Sequence, residues 1–131
     1  MSNFGFGKIV NTDFDTAIQQ VTEELAKEGF GILTVIDVQA TLKAKLDVDM
    51  PPYRILGACN PGLANQAISA VPDIGLLLPC NVLVREDEEG RVHVDFMDPG
   101  AVLGLVEDPR VDPLAGQVKD KLESVLAALQ S

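Results

Sequence analysis

Apolar and polar positions repeat along this chain with two different periods, and the switches between them mark out its elements. Phe6 to Val10 reads as a first strand, loosened at its start by Gly5 and Gly7. From Phe14 to Lys27 the period turns helical, and Phe14, Ala17, Ile18, Val21 and Leu25 form one apolar stripe. Thr12 and Asp13 offer caps ahead of that helix, and Gly29 stands where a helix-ending glycine belongs. Phe30 to Asp37, rich in β-branched residues, predicts a second strand, with Asp37 placed to cap a short helix to about Leu46. Pro51 and Pro52 force extended backbone into a third strand, Tyr53 to Cys59.

Asn60-Pro61 then supplies a cap and a first-turn proline for a helix to about Ser69, which would bury Leu63, Ala64, Ala67 and Ile68. Ile74 to Glu86 is the longest apolar strand candidate, with a bulge or an edge expected at Pro79. Asp87 to Gly90 reads as a polar hairpin turn, and Arg91 to Met97 returns with Val92, Val94 and Phe96 on one face. Asp98-Pro99 opens a short helix around Ala101 to Val106, and Asp112-Pro113 repeats the device before a final helix. That helix carries an apolar face of Leu114, Val118, Leu122, Val125, Leu126 and Leu129. The late hairpin favours an α+β domain over a doubly wound one: about five strands with two main helices packed on one face, residues 1–131 forming a single domain. The strand order is not encoded in this pattern.

Composition narrows the class of function. With five Phe, one Tyr and no Trp, the core must be built mainly from Val, Leu, Ile and Ala. A net charge of −10, with no basic stripe, repels phosphate backbones and anionic lipid, so neither nucleic acid nor a membrane is expected as a partner. No apolar run approaches the roughly 20 residues that span a bilayer, and the first residues do not resemble a secretory leader. A cytoplasmic location with reduced cysteines is therefore expected.

Two Cys-Asn steps, Cys59-Asn60 and Cys80-Asn81, are the candidate chemistry. A CxxC clip is absent and His93 is the one imidazole, so the pattern predicts no metal and calls for no cofactor. Cys59 precedes a predicted helix start, where free N–H groups favour a thiolate; packing as a small apolar side chain is the plainer role for both cysteines. Asn60 reads first as a helix cap. Asn81, in a strand, either satisfies backbone at a bulge or points into a pocket. Tyr53 and Arg54 stand at a strand mouth, where an arginine grips a carboxylate or phosphate or else pairs with one of the many acids. His93, on the polar side of the hairpin, is expected at the surface, and Lys43 in solvent.

The stretches Pro52-Tyr53-Arg54-Ile55-Leu56-Gly57-Ala58-Cys59-Asn60-Pro61 and Ile74-Gly75-Leu76-Leu77-Leu78-Pro79-Cys80-Asn81-Val82, with Glu28 to Leu33, Ile36 to Lys43 and the Met97-Asp98-Pro99 turn, carry a resemblance. Over about residues 5 to 106 the chain resembles a bacterial and archaeal family known as domain of unknown function 302. That resemblance implies a sheet of the TATA-binding-protein-like kind, a homodimer, and no established activity. Three functions follow as expectations. The first is a noncatalytic module binding a small molecule or ion near Cys59, Asn60, Cys80 and Asn81, with Tyr53 and Arg54 at the rim. The second is a thiol-dependent enzyme or sulfur carrier using Cys59. The third is a purely structural dimer.

Overall fold

Helix α1, Phe14–Lys27, begins where the Asp13 carboxylate accepts the Thr16 N–H at 2.7 Å. It ends in a left-handed glycine, Gly29 at φ 85°, whose N–H reaches the Ala26 carbonyl while Phe30 N–H reaches Leu25. This double closure satisfies the last carbonyls and brings Phe30 beside Leu25, both buried. The remaining starts use the same chemistry: Asp37 caps α2 (Val38–Leu46), Asn60 caps α3 (Pro61–Ala70) and Asp98 caps α4 (Pro99–Leu103). The last helix, α5 (Asp112–Ala128), departs from expectation. Asp112 lies inside its first turn, and the cap position falls to Val111, which has no side-chain oxygen to offer.

The computed structural model describes residues 2–130, and its five strands form one antiparallel sheet in the order β1-β5-β4-β3-β2. They are β1 Gly5–Val10, β2 Gly31–Asp37, β3 Tyr53–Cys59, β4 Cys80–Glu86 and β5 Val92–Met97. The α+β class and the five strands expected from the sequence are therefore present. Every pair runs antiparallel, and β4 and β5 form the predicted hairpin. Its turn is held by Asp87, whose carboxylate accepts the N–H groups of Glu89 and Arg91, and Gly90 takes the positive φ of 79°.

One stretch differs. Ile74 to Leu77 belongs to a 3-10 helix, Pro72–Leu77, and the strand begins only at Cys80, after a cis Leu78–Pro79 bond. The run here buries Ile74 while leaving Leu76 exposed, whereas a strand would put these two residues on the same face.

Alternation then decides the layers. Leu56, Ala58, Cys80, Val82, Val84, Val92, Val94 and Phe96 point to one face and are buried there. Ala17, Val21 and Leu25 of α1, with Leu114, Val118, Leu122 and Val125 of α5, join the same core. The opposite face carries Asn81, which is exposed, and Arg85, His93 and Asp95, which are half-buried. No helix among the described residues is long and apolar enough to cross a membrane.

Candidate functional site

The ends of β2, β3 and β4 meet α3, the 3-10 turn and the start of α5 around a cavity of about 340 Å³. Phe30, Ala58, Leu63, Ala67, Leu103, Leu114 and Val118 form its apolar interior, and the exposed Leu33 and Ile68 also line it. Thr34 and Asn60 are the polar side chains among its described lining residues, besides the two thiols; none of those residues is charged. A space of this size and apolarity lies in the range of small-ligand sites.

Both cysteines line it. Cys80 is opposite Ala58 in the β3–β4 ladder, so Cys59 stands one step further along the neighbouring strand. Burial, reinforced by the nearby Cys59, pushes the Cys80 thiol up to about 11. Cys80 is therefore a neutral thiol at physiological pH, behaving as the small apolar side chain its alternation with Val82 suggested. Cys59 is partly exposed, and no disulfide joins the pair. It immediately precedes Asn60, whose carboxamide caps α3 at Leu63 N–H (3.3 Å) and donates to the Glu28 carbonyl at 3.4 Å. Asn60 thus ties the start of α3 to the end of α1 and fixes the cavity wall.

The other sequence candidates fall elsewhere. Asn81 points to the opposite sheet face, exposed, where it borders a separate depression with Leu83, Asp95 and Met97. Tyr53 and Arg54 begin β3 while Cys59 ends it; at about 3.3 Å per residue, Arg54 is roughly 17 Å from Cys59 and forms no rim to this cavity. Arg54 is committed to structure: its Nη2 lies 3.4 Å from Asp37 Oδ2, and its guanidinium carbon is 5.2 Å from the centre of the Phe14 ring. Its Nε is buried without a partner. His93 is not free in solvent either. It is half-buried with Nε2 2.8 Å from Asp87 Oδ2, at the hairpin end of β5 and far from both cysteines. Lys43, expected in solvent, is half-exposed and pairs with Asp47 and Asp49, both at 2.9 Å. No cluster of three or more His, Cys, Asp or Glu suited to a metal occurs among the described residues.

Gly57 was not singled out by its chemistry, yet it shapes the site. A Cβ there would lie 2.2 Å from Thr34 Oγ1 and 2.9 Å from Pro79 Cγ. Thr34 and Pro79 both line the cavity, and they close over the bare backbone of Gly57. The sequence signal was a glycine inside a strand, which marks a close approach without naming what approaches.

Residues 6–129 match the model of the family described as Domain of unknown function DUF302. A solved structure, "Crystal structure of uncharacterized conserved protein DUF302 from Bacillus stearothermophilus", is 27% identical, with a TM-score of 0.90 over 98% of this chain and 100% of that one. No curated protein matches the sequence. With the family model spanning nearly the whole fold and a superimposable relative beside it, the chain belongs to the DUF302 family.

Proposed function

We propose that this chain is a noncatalytic binding module, working as a homodimer, that holds a small, neutral, largely apolar ligand in the cavity beside Cys59 and Cys80. The observation that carries this reading is the cavity itself: about 340 Å³, walled by apolar side chains and lacking any charged residue among those described. Such a wall offers a charged ligand no counter-charge and would impose a desolvation cost on it, whereas apolar surface is favoured at roughly 25 cal/mol per Å² removed from water. Thr34, Asn60 and the Cys59 thiol are the groups able to orient a polar end at the mouth.

The neutral dye N-phenyl-1-naphthylamine tests this by fluorescence titration. Saturable enhancement is expected, weakened at least about 10-fold by Ala64→Phe, which adds a ring to the cavity wall from a partly exposed position on α3. Equal binding by the filled variant, or none by the native protein, would discard the reading. The thiol-dependent alternative has one supporting observation, the position of Cys59 directly before the cap of α3. Against it, the only imidazole in the chain is held by Asp87 at the far end of the hairpin, so no Cys-His pair forms.

A further inference from the structure

We infer that the sheet face turned away from α1 and α5 carries a second binding site, at Tyr53, Arg85 and His93, for a carboxylate borne on a flat apolar body. The site shares no lining residue with the cavity described above.

Register places the three side chains in one row. Tyr53 is opposite Arg85 in the β3–β4 ladder, and Arg85 is opposite His93 in the β4–β5 ladder. Directly opposed residues share a face, with Cβ atoms about 4.5–5.5 Å apart. Arg85 is the cation of this row, and its donors are unspent. Arg54, Arg91 and Arg110 pair with Asp37, Asp87 and Asp108. Arg85 alone among the four arginines meets no carboxylate at ion-pair distance within the described residues, although the chain carries 20 acids. It is half-buried, yet none of its nitrogens is sealed from solvent, and the same holds for the Tyr53 hydroxyl.

The nearest acids are already placed. Asp87 is engaged by Arg91, by His93 and by N–H groups of the turn. Asp95, on the same face, leans over β1: its Oδ1 fills the space above Gly7, where a Cβ would lie 2.1 Å from it. Strands β1 and β4 flank β5 on opposite sides, so this carboxylate is turned away from Arg85.

The chemistry of the row selects the ligand. A guanidinium fork meets a planar carboxylate with two parallel hydrogen bonds, and the Tyr53 hydroxyl adds a third donor. Phosphate sites draw on free backbone N–H groups, but those of β4 are spent in ladders on both sides. A net charge of −10 also repels a dianion about twice as strongly as a monoanion. The apolar body has a surface to lie on: Ile55 opposite Leu83, both half-buried, forms the next row on this face, about 6.6 Å along the strands.

His93 is the one imidazole in the chain and serves as the reporter. Titration of the full chain with 2-naphthoate at fixed pH, followed by NMR of the His93 ring protons, is expected to shift them saturably. Arg85→Gln, folded by circular dichroism, is expected to bind at least about 10-fold more weakly, and so is the neutral 2-naphthamide with the native protein. Inorganic phosphate at equal concentration is expected to leave the His93 signals in place. No saturable shift, an amide bound as tightly as the acid, or unchanged binding by Arg85→Gln overturns the inference. An equal response to phosphate overturns the carboxylate assignment. Ala64→Phe, which fills the cavity, is expected to leave naphthoate affinity unchanged; a loss there would place the naphthoate in the cavity and overturn the second site.

Discussion

Cys80 gives the sharpest quantitative test of the site. Its thiol is shifted from an ordinary value of 9.0 to about 11, by burial first and by Cys59 second. At pH 7 a thiol of pKa about 9 is ionised in roughly one molecule in 100, and one of pKa about 11 in roughly one in 10,000. Since the thiolate is the nucleophile, ionisation alone slows alkylation of Cys80 about 100-fold, and its 6% exposure slows it further. The assay is a time course with iodoacetamide at pH 7, each cysteine followed by mass spectrometry of its peptide, with urea-unfolded protein as reference. Cys80 in folded protein is expected at 1% or less of its own unfolded rate, an order-of-magnitude bound from the same ionisation arithmetic. Native Cys80 reacting within about threefold of its unfolded rate would refute the buried, proton-retaining environment. The shift also has a sign in stability. The folded state holds its proton to higher pH, so stability is fully present below about pH 9 and declines as pH rises through 11. At 1.36 kcal/mol per unit the loss is on the order of 2–3 kcal/mol, and it is absent from Cys80→Ala.

Leu122→Ala, at a fully buried position on α5, is expected to destabilise by about 2–5 kcal/mol in urea unfolding, and a change under 1 kcal/mol would contradict the packing described. Gly57→Ala drives a methyl against Thr34 and Pro79 and is expected to cost about 1–3 kcal/mol, with part of the loss recovered in the Gly57→Ala/Thr34→Ala double variant. An additive double variant would show that Thr34 is not the obstacle. The Asp87 carboxyl is held well below the usual carboxylate range by His93 first, then by the N–H groups of Arg91 and Glu89. Its contribution is present above about pH 4 and is lost as the pH falls further. The stability gap between native protein and Asp87→Asn should therefore narrow from pH 7 to pH 3, and a gap independent of pH would remove the carboxylate from the account.

How much of this was readable in advance depends on the range of the interaction. Helix α1 was legible end to end, because its stripe, its Asp13 cap and its Gly29 stop all act within a turn of the residues that encode them. The β4–β5 hairpin was legible for the same reason, through alternation and a turn built on Asp87 and Gly90. Ile74 to Leu77 was not, since three apolar residues and a glycine carry too short a period to separate a strand from a helical turn. Asp112 misled as a cap because a side-chain oxygen beside a proline signals a helix start without fixing its first residue.

Sequence alone determined the α+β class, the capped helices and the alternation that made Cys80 a core residue, all properties of neighbours along the chain. The tertiary structure decided what meets what. The antiparallel ladder put Cys59 beside Cys80, separated them from Arg54 by the length of a strand, and turned Asn81 to the other face. Strand order and register are set by summed burial across the whole sheet. A one-residue slip would exchange its two faces, and no local spacing between two Cys-Asn steps carries that information.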